Sequence, residues 1–205
     1  MGMTHVNINL QIPLERVGVI VGREGTVKVK LENAFGAKLF IDGSTGDVEI
    51  RFDPSVTDRV AVEKLKNILV AVGLGFSPSR AMTLGEDDTY LVAIDLHELV
   101  GEAPRDLERV KGRIIGKRGK AWKTVEQLTG TLLSVQGRYV AIIGGSEGLE
   151  AAKSAIKMFA DGKQHKTVYG HLENVRKELK RMQMEIWEPG LPPATGHPET
   201  EKNNV

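Results

Sequence analysis

One segment of this chain occurs twice, and the two copies lie 94 residues apart. Gly18-Val-Ile-Val-Gly-Arg-Glu-Gly25 returns as Gly112-Arg-Ile-Ile-Gly-Lys-Arg-Gly119, and the same offset carries Gly36 onto Gly130. Each copy has the pattern of a strand, a helix, a G-x-x-G loop, a second helix, two short strands and a third helix. The sequence therefore predicts two α+β units, each a three-stranded sheet with its helices on one face.

Breaks in the pattern divide the chain. Gly73-Leu-Gly-Phe-Ser-Pro78 interrupts a helical stretch, and the acidic turn Gly85-Glu-Asp-Asp88 precedes the second copy. Beyond the second copy, apolar residues at helical spacing predict an amphipathic helix with a basic second face. A Pro- and polar-rich tail after it is expected to be disordered. The expected divisions are a first unit at 1–84, a second unit at 85–164, the helix at 165–188 and the tail at 189–205.

Some element boundaries follow from capping residues. Gly36 and Gly130 are expected to end the helices that follow the two loops. Asp53-Pro-Ser55 is expected to begin a long helix that runs to about Val72, with Val56 and Val60 on its buried face.

A G-x-x-G loop between two helices can hold a nucleic-acid backbone. Its glycines let a phosphodiester approach the main chain, and the second helix points the positive end of its dipole at the phosphate. Residues 105–123 carry a net charge of +6, although the whole chain carries only +1. A local basic patch on a near-neutral protein indicates a polyanion site, and the G-x-x-G clamp is the RNA-binding element of KH domains.

The candidate RNA-binding residues come from both loops. In the second unit we expect the clamp to be formed by Gly116, Lys117, Arg118 and Gly119, with phosphate contacts from Arg113, Lys120 and Lys123 and a base contact from Ile115. In the first unit Glu24 sets a carboxylate beside the phosphate site, so Gly22, Arg23 and Gly25 are expected to bind more weakly or to serve a structural role. Trp122 either packs into the core or offers a stacking surface for a base.

Other chemistries fit poorly. Lys117 is followed by Arg118 and not by a hydroxyl residue, and only three residues separate Gly112 from Gly116, so the P-loop spacing fails. The histidines form no metal-ligand pattern, and no nucleophile motif is present. We therefore expect no catalytic residues, no metal and no cofactor. The absence of cysteine, of a signal peptide at the start of the sequence and of a long apolar run favours a cytoplasmic location without a membrane partner.

The segment from Ile114 to Gly130 resembles a type I KH domain, with apolar residues at Trp122 and Val125 and a Gly at the end of the second helix. The resemblance covers roughly residues 88–160 and, more distantly, about 4–72. Two KH units followed by a basic helix are similar to the archaeal members of the partner-of-Nob KH family. That likeness implies a ribosome-assembly factor that binds single-stranded RNA near the 3′ end of the small-subunit rRNA precursor. It also implies a partner such as the Nob-type endonuclease or another ribosome-assembly or translation factor.

Three alternatives remain open at this point: an RNA-decay or exosome adaptor, another KH RNA-binding regulator, and a nucleotide-dependent enzyme. The helix at about 166–186 also has two interpretations. Its apolar stripe packs on its own unit, or its basic face extends the RNA path or meets an acidic protein. That face is formed by Arg176, Lys177, Lys180 and Arg181.

Overall fold

The computed structural model describes residues 6–55 and 57–187, except for the side chains of residues 183 and 185–187. The predicted burial of Val56 and the predicted disorder of the tail lie outside the described residues.

The first half of the chain forms one antiparallel sheet and three helices. Its sheet has the strand order β1-β3-β2, and the helices cover one face. The elements are β1 (Val6–Gln11), α1 (Leu14–Val21), a 3-10 turn (Arg23–Gly25), α2 (Thr26–Phe35), β2 (Lys38–Ile41), β3 (Asp47–Phe52) and α3 (Arg59–Gly73).

The second half repeats this order after a short connection. Its sheet has the order β4-β6-β5, so the α+β class predicted from the sequence is confirmed. The connection contains α4 (Pro78–Ala81) and a 3-10 turn (Met82–Gly85). The later elements are β4 (Tyr90–Asp95), α5 (Leu96–Val100), α6 (Pro104–Ile115), a 3-10 turn (Lys117–Gly119), α7 (Lys120–Thr129), β5 (Leu132–Gln136), β6 (Tyr139–Gly144), α8 (Ser146–Ala160) and α9 (His165–Trp187).

Most of the predicted helix ends agree with the structure, but the start of α3 does not. Asp53 accepts hydrogen bonds from the amide and hydroxyl of Ser55 at 2.9 and 2.6 Å and so closes a turn. Asp58 is the residue that caps α3, because its carboxylate accepts from the amide of Val60 at 3.0 Å. Val60 therefore lies in the first turn and is 59% exposed, so its predicted burial is wrong.

The outer faces of the two sheets, away from their own helices, differ in chemistry. On β2 and β3 the outer pairs are Lys38 with Arg51 and Phe40 with Glu49. On β5 and β6 the pairs at the same register are Leu132 with Ile143 and Ser134 with Ala141. The first set is polar apart from Phe40, and the second is small or apolar. A strand buried on both faces needs such a continuous apolar run.

The first half of the chain covers the outer face of the second sheet. Ala141 and Ile143 are buried in the same hydrophobic cluster as the residues of α3. Ser134 donates a hydrogen bond to the carbonyl of Leu74 at 2.8 Å. A Cβ at Gly75 would lie 2.6 Å from the Ser134 hydroxyl, so the backbone of the connection touches the sheet closely. The second sheet therefore lies between its own helices and the first half, and the boundary near residue 85 stays a prediction.

Candidate nucleic-acid interface

The two G-x-x-G loops have the same backbone. Gly22 and Gly116 adopt φ/ψ of 73/175° and 69/176°. Glu24 and Arg118, at the third position, are left-handed at 53/27° and 55/35°. A side chain in that region is uncommon and costs roughly 1–2 kcal/mol. The fold therefore imposes one loop conformation in both copies, whatever side chains stand in it.

The first glycine of each loop is required by packing. A Cβ at Gly116 would lie 2.5 Å from the Cβ of Ala121 and 2.8 Å from its backbone nitrogen. A Cβ at Gly22 would lie 2.9 Å from the backbone nitrogen of Val27. Because the helix after the loop turns back so tightly over this position, the glycine is needed in each copy even without a ligand.

The glycine at the fourth position of the loop, Gly25 or Gly119, faces open space in both copies. A Cβ at Gly119 or Gly25 would meet nothing within 4 Å. No side chain caps the helix that follows, whether α7 or α2. The amides of Thr26 and Lys120, the first residues of these helices, donate to the carbonyls of Arg23 and Lys117 in the loop. Because no side chain covers the helix end, the positive end of the helix dipole still favours an anion there.

Basic side chains continue from the second loop along α7. Lys117, Arg118, Lys120 and Lys123 are all exposed and border one open cleft. Thr124 and Gln127 complete that cleft, and the sequence analysis did not name them. Their signal was a spacing of four residues, from Lys120 to Thr124 and from Lys123 to Gln127, which places side chains on one helix face. The structure thus brings together the loop cations and the lysines of α7.

Two residues before the loop have separate environments. Ile114 is 1% exposed and belongs to the core, whereas Ile115 is half-buried beside the loop. Arg113 donates to the carbonyl of Phe159 at 3.2 Å and to that of Lys163. Its guanidinium therefore anchors α6 to the end of α8, and a phosphate contact from Arg113 stays a prediction. Trp122 is half-buried and packs on the core of the second half, as the first of its two interpretations expects.

A carboxylate supports the edge strand behind each loop. Glu32 accepts a hydrogen bond from the amide of Leu39 at 2.8 Å, and Glu126 accepts one from the amide of Leu133 at 2.7 Å. Lys38 pairs with Glu32 at the surface at 3.7 Å.

The cation beside the second carboxylate comes from α4, in the connection between the two halves. Arg80 bonds Glu126 and also donates to the carbonyl of Leu133 at 3.3 Å. The connection thus braces α7 against β5, a contact that the sequence analysis missed because 46 residues separate Arg80 from Glu126.

The first loop lacks the charge of the second. Arg23 and Glu24 are both exposed and carry opposite charges. Arg16, the nearest upstream cation, donates to the carbonyls of Val72 and Phe76 at 2.8 and 2.6 Å. The first loop therefore offers a phosphate the same amides but almost no net positive charge.

Among residues 6–55 and 57–187, no group of three or more His, Cys, Asp or Glu residues is placed to hold a metal ion. None of the helices in this part of the chain is long and apolar enough to cross a membrane.

Known proteins share both the sequence and the fold. The family model for the second KH domain of PNO1 matches residues 90–177, and its description is "Eukaryotic type KH-domain (KH-domain type I)". The KH domain-containing protein MJ0443 of Methanocaldococcus jannaschii is 40% identical over 178 residues, which cover 87% of this chain and 78% of that protein.

A crystal structure of Dim2p from Pyrococcus horikoshii matches at 38% identity with a TM-score of 0.77. The match covers 82% of this chain and 99% of the Dim2p chain. The chain belongs to the PNO1/Dim2 family of KH-domain proteins.

Two further relatives carry descriptions of activity. A crystal structure of a complex of a/eIF2alpha, aDim2p and rRNA from the same Pyrococcus species matches at 37% identity with a TM-score of 0.80, covering 85% of this chain and 96% of the matched one. The pre-rRNA-processing protein PNO1 of Phaeosphaeria nodorum is 30% identical over 137 residues. The match covers 66% of this chain and only 52% of that PNO1 protein.

Proposed function

We propose that this protein binds single-stranded RNA through its second G-x-x-G loop during assembly of the small ribosomal subunit, at the 3′ end of the rRNA precursor. The observation that carries the proposal is the row of Lys117, Arg118, Lys120 and Lys123 along one cleft at the N-terminal end of α7, which no side chain caps. Backbone amides and lysine or arginine side chains are the groups that bind phosphates in nucleic acids. The rRNA in the Dim2p complex and the processing of pre-rRNA by PNO1 support rRNA as the ligand.

The protein acts as a binder and not as an enzyme in this proposal. It takes both halves as KH domains, and the shared loop backbone and sheet order support this. Only the second clamps RNA strongly, and the connection from the first half braces it through Arg80. A Nob-type endonuclease or a translation factor such as a/eIF2alpha is the proposed protein partner, in the cytoplasm. The a/eIF2alpha chain in the Dim2p complex supports the second of these.

Crosslinking of the protein to RNA in cells, followed by sequencing, tests the ligand. We expect reads at the 3′ end of the small-subunit rRNA precursor, and their loss in the Lys117→Asp/Arg118→Asp variant, which sets carboxylates where phosphates bind. Reads spread over messenger RNA, together with co-purified exosome subunits, would instead identify an RNA-decay adaptor.

Binding in vitro tests the mode of recognition. A KH groove holds unstacked bases, so a single strand should bind more tightly than its own duplex. With about three to five phosphates neutralised, the slope of log K against log salt should be roughly −2 to −3.5. Equal affinity for duplex and single strand, or a slope near zero, contradicts the clamp.

A further inference from the structure

The C-terminal helix α9 lies against α7, the helix that follows the second loop. Val168 and Leu172 are 0% and 1% exposed and belong to the core of the second half. Val175 and Leu179 continue this stripe and are half-buried. The packing interpretation of the stripe therefore holds for its first part, and α9 is fixed to the same body as the loop.

This packing divides the basic face of α9. Arg176 and Lys180 border an open cleft between α9 and the end of α7, whereas Lys166 and Lys177 are exposed but do not border it. Side chains four apart lie on the same side of a helix. The arginine and lysine of the cleft thus point toward α7 and not simply outward.

The cleft beside α9 adjoins the cleft of the loop, because Gln127 lines both. Lys120, Lys123 and Gln127 follow one face of α7 over about 10 Å, the rise of seven helical residues. At the end of this row stand Arg176 and Lys180. Glu147 is the one carboxylate among the residues that line the two clefts.

From this row of cations along two adjoining clefts we propose that single-stranded RNA held by the loop continues across the outer face of α7 onto Arg176 and Lys180. The proposal rests on the proposed function of the loop and extends it to a longer RNA segment. An arginine and a lysine beside a row of lysines are suited to successive phosphates, since arginine can bind a phosphate with two hydrogen bonds. An acidic protein segment is the competing occupant, but it would not require a cleft that adjoins the cleft of the loop.

The test compares RNA lengths on the full chain. One oligonucleotide has about four nucleotides, the length that a G-x-x-G clamp holds, and the other is roughly three times longer. The variant Arg176→Glu/Lys180→Glu should weaken the long RNA on the order of tenfold at about 0.1 M salt and flatten its salt slope by roughly 1.4, which corresponds to two phosphates. Binding of the short RNA should stay unchanged.

The matched control is Lys166→Glu/Lys177→Glu, which changes the charge of the same helix by the same amount. It should leave both RNAs bound as before, and neither variant should shift the melting temperature, because exposed charges add little to stability. Equal losses on short and long RNA, equal losses in the control, or loss of a/eIF2alpha-type partner binding with RNA binding intact would overturn the RNA path. If Lys117→Asp/Arg118→Asp leaves even the short RNA bound, the proposed function of the loop itself fails.

Discussion

The two G-x-x-G loops of this protein share a backbone and differ in charge. Their φ/ψ angles agree within 8° at the first and third positions. Around the second loop residues 105–123 carry +6, whereas the equivalent residues 11–29 carry +1. We infer that the glycine pattern indicates a tight turn between two helices, and that the surrounding cations indicate the ligand.

The two sheets share a strand order and differ in what covers their outer faces. The outer face of the first sheet is exposed, and there Arg51 bonds Glu49 twice at 2.8 Å, which lowers the pKa of that carboxyl below its ordinary value. The outer face of the second sheet is covered by the first half of the chain. One fold thus serves as a brace in the first copy and as a proposed clamp in the second.

The largest expected effect is shared by both loops. Gly116→Ala and Gly22→Ala each place a Cβ against the backbone of the next helix and hold an alanine at a positive φ angle. Each should therefore lower the free energy of unfolding by about 2–4 kcal/mol. Urea unfolding measures this, with Gly119→Ala as the control that suffers only the backbone cost of about 1–2 kcal/mol. A large loss at one loop and none at the other would show that the two turns are not equivalent.

The next effect separates the two carboxylates that support the edge strands. Arg80→Ala removes a half-buried cation that bonds both Glu126 and the carbonyl of Leu133, and it should cost about 1–3 kcal/mol of unfolding free energy. Lys38→Ala removes the surface partner of Glu32 and should cost less than about 0.5 kcal/mol. If thermal or urea unfolding finds the two variants equally stable, the bracing of α7 by the connection is refuted.

The smallest effect concerns the strained third position. Arg118→Gly and Glu24→Gly both relieve a left-handed side chain and should raise the free energy of unfolding by up to about 1 kcal/mol. Only Arg118→Gly should also weaken RNA binding, because only it removes a cation. Weaker RNA binding after Glu24→Gly would mean that the first loop takes part in recognition.

Local signals allowed much of the fold to be predicted, and distant contacts did not. Gly36 and Gly130 end α2 and α7 as expected, because a left-handed glycine is a local signal. Asp53 and Asp58 are competing caps, and sequence alone selected the wrong one. Arg113 finds its acceptors 46 and 50 residues away, so its anchoring function was invisible.

One long-range feature did leave a trace in the sequence. Strand β3, Asp-Val-Glu-Ile-Arg-Phe, alternates between polar and apolar residues, whereas β6, Tyr-Val-Ala-Ile-Ile-Gly, is a nearly continuous apolar run. The run indicates a strand buried on both faces. The cover is made by α3 and the connection after it. It could not be predicted because these segments are far away in sequence, as Leu74 and its partner Ser134 are 60 residues apart.

The central claim is that side-chain charge, and not loop shape, makes the second loop the RNA clamp. Lys117 and Arg23 test it most directly, because both are exposed cations at the same position of the same backbone. Titration of single-stranded RNA at one salt concentration should show a loss on the order of tenfold or more for Lys117→Glu. Arg23→Glu should change the affinity by less than about twofold. Equal losses in the two variants would contradict the account.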